Sequence, residues 1–456
     1  MSTPSVVSPM SKLSLADLAP KQQDAITALY EKNTLLIAAK GLGKTVVGQT
    51  AVQELLADGV ITRCLVLAPL QVCTMSWAGE WSKWQHLRQP ALALGHEPAR
   101  RMAIDRGGDI VVINFDNLVW LIENDLHLSF DGLLVDECTK LKTAGGSGFK
   151  ALRKVLKHFT WRSAMTADPV SEQGVDLYAQ MMLVDGGKTL GRHKDLFRRK
   201  YFYPTDFNQR KWAVLPGMDK VLANVVRDTV TVITDTHYDE SLPPLRDIVV
   251  PVEMPAEGWQ AYNAIMDDGA FDAGSGDVVL AEDAAAVAGK LQQITAGAAW
   301  LPGGKRYVRF HNAKLDALAK HAAQPDARPM LVAYWFRFEL DALKERWPGI
   351  TVLGETTGAV ELWNAGKVPL LAVHPASCSH GLNLQYGGHD LAVLTAPWSA
   401  DMWEQLVGRL RRRGQAAKFV ARITFVVIDS IDTEVMARHR LKAYDSERLN
   451  AALVDA

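Results

Sequence analysis

The stretch "AAKGLGKT", residues 38–45, decides the fold. Its spacing is that of a phosphate-binding loop, G-x-x-x-x-G-K-[ST], with Ala38 where the first glycine usually stands. The apolar run "TLLIAA" (34–39) leads into it, and the helical pattern "TVVGQTAVQELLADG" (45–59) leaves it, ending in Gly59 as a helix C-terminus should. Gly41 and Gly43 let the backbone curl so that its N–H groups face a polyphosphate, and the helix adds its positive end. Lys44 is expected to reach the outer phosphates and Thr45 to ligate Mg²⁺. Ala38 is tolerable because the first glycine position lies farthest from the bound phosphates. The bland alternative is a glycine-rich strand-to-helix turn with a chance Lys-Thr.

A second stretch tests that reading. A nucleotide hydrolase of this type needs a carboxylate at the end of a neighbouring buried strand to hold Mg²⁺, and another to orient the attacking water. "FDGLLVDECTK" (130–140) supplies Asp136 and Glu137 at the end of an apolar run. Alone, an Asp-Glu pair reads as a solvated turn. Together with the loop it points to ATP or GTP hydrolysis. In "QLVGRLRRRGQ" (405–415), Gln405, Arg409 and Arg412 are spaced four and three apart, which predicts one shared helical face. An arginine there can complete a phosphoryl-transfer site, an effect worth about 10³–10⁵ in rate elsewhere.

Around these motifs, short Leu/Ile/Val-rich runs alternate with helical patterns. "CLVLAP" (64–69), "DIVVINF" (109–115), "GLLVDE" (132–137) and "SAMTA" (163–167) continue the first series. "PMLVAYW" (329–335), "GITVLG" (349–354), "PLLAVHP" (369–375), "LAVLTAP" (391–397) and "ITFVVID" (423–429) form a second. Buried strands alternating with helices predict parallel sheets covered on both faces. The expected α/β organisation is a tail at 1–14, a first lobe at 15–190, a mainly helical insertion and brace at 191–310, a second lobe at 311–440, and a C-terminal helix or tail at 441–456.

The composition sets outer limits. A chain of 456 residues, 48% apolar and 22% charged, has the balance of a globular protein with large cores. Its formal net charge of −1 advertises no nucleic acid globally, yet "RHKDLFRRKYF" (192–202) concentrates Arg198, Arg199 and Lys200. That segment reads either as a DNA grip or as a solvated basic face. The four cysteines have no metal-ligand spacing and read as reduced, mostly buried thiols. Trp77, Trp81 and Trp84 share a helical face, which favours core packing over base stacking. The opening residues carry no secretion-signal pattern, and no apolar run approaches the ~18 residues of a membrane span. A soluble, cytoplasmic protein of a bacterium or a phage-infected cell is expected, with no membrane partner.

The three motifs, in this order on two α/β lobes, resemble superfamily-two helicases and translocases, whose first motif is typically A-x-x-G-x-G-K-T. The Swi/Snf-like branch is the closer match. "LAPKQQDAI" (18–26) resembles its adenine-sensing start, with Gln22 in the glutamine position. "LVLAPLQVCTMSWAGEWSKW" (65–84) and "VVINFDNL" (111–118) resemble segments that touch the nucleic-acid backbone. "MTADPVSEQGVDLY" (165–178), "LPPLRDIVVPVEMP" (242–255), "SCSHGLNLQ" (377–385) and "QLVGRLRRRGQ" are similar to the third motif, the brace, and the fifth and sixth motifs. One departure is Asp-Glu-Cys-Thr in place of Asp-Glu-Ala-His, with Thr139 offering a shorter reach across the cleft than a histidine.

The resemblance implies two RecA-like lobes and a DNA-dependent ATPase moving mainly on double-stranded or branched DNA. ATP and Mg²⁺ would lie between the lobes, contacted by Gln22, Gly41, Gly43, Lys44, Thr45 and Gln405, with Mg²⁺ near Thr45 and Asp136. Catalysis would fall to Lys44, Asp136, Glu137, Arg409 and Arg412. Backbone contacts to DNA would come from Pro69, Asn114, Ser377, Gly381 and Asn383, with Arg198, Arg199 and Lys200 as an added grip. Strand-separating and RNA helicases share these motifs. A different class, a nucleotide-gated protein that clamps DNA or a host factor with little turnover, stays open. No protein partner is legible.

Overall fold

The computed structural model describes residues 12–38, 43–141, 145–167, 174–204, 212–233, 242–274, 276–324, 328–378, 382–412 and 414–454. The chain divides into two units, residues 1–236 with 444–456, and residues 237–443.

The first unit is built on seven strands: β1 (Leu35–Ala38), β2 (Cys64–Ala68), β3 (Ala91–Leu92), β4 (Ile110–Asn114), β5 (Gly132–Asp136), β6 (Trp161–Thr166) and β7 (Val230–Ile233). They lie in the order β3-β4-β2-β5-β6-β1-β7, every pairing parallel. The five central strands are the apolar runs read from the sequence. Their continuity follows from two buried faces, since alternate residues of a strand point to opposite sides. Leu35, Ile37, Leu65, Leu67, Leu133 and Val135 enter one core, and Leu36, Val66, Leu134 and Met165 enter the other. Full burial of each such side chain contributes about 1.5–3 kcal/mol.

The second unit repeats the plan with β8 (Leu245–Val252), β9 (Met330–Ala333), β10 (Thr351–Val352), β11 (Leu370–Val373), β12 (Asp390–Val393) and β13 (Val420–Val427). Its order is β8-β13-β12-β9-β11-β10, again all parallel. Met330, Val332, Ala372 and Ile423 face one core, while Leu331, Ala333, Leu371 and Val393 face the other. These are two RecA-like lobes, as the sequence implied.

The stretch 191–310 does not stand apart as an insertion. Its first part belongs to the first unit, where helix Lys194–Tyr201 buries Phe197 and Tyr201 in the core and β7 extends the sheet. The remainder belongs to the second unit. There β8 pairs with β13 along its whole length, and helices Ala256–Asp268 and Ala284–Thr295 add Ile265 and Ile294 to a core. Short amphipathic helices have no core of their own, so each joins the sheet it can cover. The C-terminal residues likewise continue a helix, Ile431–Val454, and Leu453 is buried in the first unit.

The second unit also holds a buried polar cluster. Lys314 and Asp432, 3% and 6% exposed, pair at 2.6 Å, and Asp432 accepts further bonds from Thr295 Oγ1 and Val427 N. Beside them burial, then the Lys314 charge, push His311 from its ordinary 6.5 down to about 4. The unfolded chain therefore binds a proton here that the folded chain refuses. The stabilising effect of a neutral His311 is full above pH 6.5 and is lost as pH falls toward 4, amounting to about 3 kcal/mol. Denaturant melts of wild type and His311→Gln at pH 7 and pH 4.5 should show the wild type losing more stability by that order. Equal losses would remove His311 as the cause.

Candidate functional site

The C-terminal edge of the first unit's sheet collects the motif residues, as open parallel sheets place ligands outside the carboxyl ends of their strands. Ala38 ends β1, Asp136 ends β5, and between them β6 ends in the buried Thr166, paired in register with Ile37. Helix α2 (Lys44–Ala57) starts immediately after Gly43, whose φ of +80° puts it in the left-handed region that glycine favours. Gly59, just past the helix end, also has a positive φ, matching the stop read from the sequence.

Helix α1 (Pro20–Glu31) brings Gln22 to the same loop. The side-chain oxygen accepts the Ala19 N–H at 2.9 Å, capping the helix, and the amide nitrogen turns toward Gly43. A Cβ built on Gly43 would lie 2.5 Å from that nitrogen, so any other residue here would push the Gln22 amide aside as well as strain the left-handed backbone. Lys44 Nζ donates to the Ala38 carbonyl at 3.0 Å, at the position where the usual first glycine is missing. Gly41 lies outside the described residues, as does Asp168 of the third motif.

Asp136 is 4% exposed and accepts the Trp77 indole N–H on Oδ2 at 2.9 Å. Burial, with the Glu137 charge adding to it, pushes its carboxyl up to about 6, against the pull of the Trp77 bond and of Lys44. A buried carboxylate beside a lysine and a helix N-terminus suits a hard divalent cation, and Thr45 carries the hydroxyl that the sequence motif offers beside it. Glu137 follows at φ +58° and is half-buried. Thr139 is buried and donates to Glu137 Oε1 at 3.0 Å. Its hydroxyl therefore serves its own strand end. Cys138 donates to Gln180 Oε1 at 3.4 Å, and burial raises its thiol far above the usual range. Such a thiol stays protonated and unreactive.

In the second unit, helix Ala400–Leu410 carries Gln405 and Arg409 but ends before Arg412. The shared face expected for all three is thus wrong for Arg412. The chain leaves the helix at Arg411, whose Nε bonds the Pro243 carbonyl, and Gln415 Nε2 ties the following turn to Gly388 O and Leu410 O. Arg412 is held instead by the fifth motif, donating from Nη1 to Leu382 O and to Asn383 Oδ1, both at 2.8 Å.

A model of the SNF2-related domain matches residues 25–296. Protein p41 of Acyrthosiphon pisum secondary endosymbiont phage 1 is 32% identical over 444 residues, covering 93% of this chain and 95% of that one. The chain belongs to the SNF2-related family. Among solved structures, the Sulfolobus solfataricus SWI2/SNF2 ATPase core in complex with dsDNA is similar across 94% of each chain, with 18% identity and a TM-score of 0.44.

Within this SNF2-related chain, the residues expected to touch nucleic acid divide by exposure. Pro69 and Asn114 are buried at the ends of β2 and β4, Asn114 bonding Asp116 and Asn117. Their side chains are not offered to a ligand, and the open positions nearby are Leu70, Thr74 and Met75. Ser377 and Asn383 are exposed, and Gly381 lies outside the described residues. Arg199 and Lys200 are exposed, whereas Arg198 pairs with Asp195 at 2.9 Å and stacks over Trp212 at 4.3 Å. Among the described residues no helix is long and apolar enough to cross a membrane. Trp77 is the residue that sequence reasoning missed. Its helical spacing announced burial correctly, but not its bond to Asp136, 59 positions away.

Proposed function

We propose that this SNF2-related protein is a nucleic-acid-dependent ATPase that uses ATP and Mg²⁺ to move on double-stranded or branched DNA. The observation that carries the reading is the assembly, at one sheet edge, of Gln22 against Gly43, Lys44 at the loop, and buried Asp136 beside Glu137. In this reading Gln22 contacts adenine, the loop with Gly41, Gly43 and Lys44 cradles the phosphates, and Thr45 and Asp136 hold the metal. Gln405 is a further nucleotide contact. Mg²⁺, when bound, neutralises charge on the transferring phosphoryl group. Glu137 orients the attacking water and accepts its proton, while Thr139 fixes one of its oxygens. Arg409 and Arg412 stabilise the charge that develops on the phosphate. The backbone at Pro69 and Asn114, with Ser377, Gly381, Asn383, Arg199 and Lys200, forms the DNA track, and Arg198 supports it through its packing on Trp212.

The test is ATP hydrolysis by the purified protein with single-stranded, double-stranded or branched DNA or with RNA, beside Lys44→Ala. Duplex or branched DNA should raise turnover at least about tenfold, and Lys44→Ala should abolish it. Duplex affinity should fall steeply with salt, with a log–log slope of about −0.9 per phosphate neutralised. No stimulation by any nucleic acid, with duplex binding intact, would overturn the motor and favour a nucleotide-gated clamp.

A further inference from the structure

The segment after β2 joins an open surface to the Asp136 carboxylate through the Trp77 side chain. Residues Val72–Trp77 form a π-helical turn, whose i→i+5 bonding is rare and frequent at functional sites. On one side of this segment Leu70 and Met75 are 50% and 47% exposed, and the Thr74 hydroxyl bonds back to the carbonyls of Leu70 and Gln71. Such back-bonding bends a helix. At its end Trp77 is fully buried, donating to Asp136 Oδ2 at 2.9 Å, while its carbonyl accepts from Gln49 of helix α2 at 3.5 Å.

A buried indole needs an acceptor for its N–H. Three other tryptophans find backbone carbonyls, Trp81 at Ala78, Trp161 at Leu29 and Trp363 at Leu384. Trp84, seven residues on in the same segment, donates to Glu80 at 3.0 Å, well away from the motif carboxylates in sequence. Trp77 alone among these ties its segment to the carboxylate at the end of β5. If the turn tightened from π to α geometry, Trp77 would rotate about the helix axis and its N–H would leave Oδ2.

We propose that Trp77 is a positioning residue that couples nucleic-acid contact on the Leu70–Met75 surface to the Asp136 carboxylate. The inference rests on the ATPase reading above. Contact on the open side biases the turn, the turn sets the indole, and the indole sets how much of Asp136 is available to a cation. Coupling of this kind is reciprocal, so a nucleotide–metal complex bound at Asp136 must change duplex affinity by the same factor.

The experiment measures duplex affinity by fluorescence anisotropy, with and without Mg²⁺ and a non-hydrolysable ATP analogue. It compares wild type, Trp77→Phe and Trp84→Phe, each first checked for a cooperative denaturant melt. In wild type the analogue should shift duplex affinity by about 5–150-fold. Trp77→Phe should reduce that shift to less than about twofold while nucleotide-free duplex affinity stays near wild type, and Trp84→Phe should keep the full shift. Retention of the shift in Trp77→Phe, or its equal loss in Trp84→Phe, would overturn the inference and leave Trp77 a packing residue. The two readings fail separately: a wild type that binds duplex but whose ATPase no nucleic acid stimulates sinks the motor, whatever the variants do.

Discussion

Glu137→Gln is expected to lower DNA-stimulated ATP turnover by about 10²–10⁴-fold while leaving ATP affinity within a few-fold of wild type. The substitution keeps the shape of the side chain and an oxygen able to accept the Thr139 hydroxyl, now at 3.0 Å. It removes the negative charge and the basicity. The residues proposed to bind the nucleotide, Gln22, Gly43 and Lys44, are untouched, so the loss should fall on kcat rather than on KM. Single-turnover hydrolysis of pre-bound ATP, beside equilibrium binding of ATP, separates the two. Turnover within tenfold of wild type would show that Glu137 does not handle the attacking water. A parallel loss of ATP binding would make it a structural residue of the β5 turn.

Arg412→Ala should cost a comparable factor, about 10³–10⁵, again in kcat at saturating duplex. Because Arg412 lies beyond the end of its helix, its position depends on Leu382 O and Asn383 Oδ1. Asn383→Ala removes one of those two acceptors and leaves the guanidinium in place. It should therefore give a partial loss, on the order of tenfold, in the same parameter. Arg412→Lys should not rescue, since an ammonium cannot reproduce the planar fork. Steady-state ATPase rates for the three variants give the ranking. If Asn383→Ala weakened duplex affinity and left kcat unchanged, Asn383 would act on the DNA track alone and not also through Arg412.

What the sequence made legible follows from what burial does to a chain. Strands covered on both faces become uninterrupted apolar runs, so β1, β2, β4, β5 and β6 could be read directly, together with the turn at Gly43 and the carboxylate that ends β5. The edge strands β3 and β7, two and four residues long with half-buried positions, carry no such run. They were hidden for that reason, and with β7 went the true boundary of the first lobe. Arg412 misled because spacing assumes that a helix continues. After Leu410 no apolar residue continues the stripe, and Gln415 fastens the turn to Gly388 and Leu410 instead. Trp77 and Thr139 show the remaining limit. The burial of Trp77 was readable and that of Thr139 was not, and the atoms both bond were fixed by the fold.

The left-handed backbone of Glu137, at φ +58°, carries a consequence for how this protein could change over generations. Outside glycine and asparagine, such a conformation works against folding, at a cost of order 1 kcal/mol or more. Glycine at position 137 would relax the turn and make the lobe more stable. A population screened only for resistance to heat or protease should therefore drift toward glycine there and lose its turnover. A screen that also demands ATP hydrolysis should hold glutamate against that pull, as expected where selection for activity opposes selection for stability.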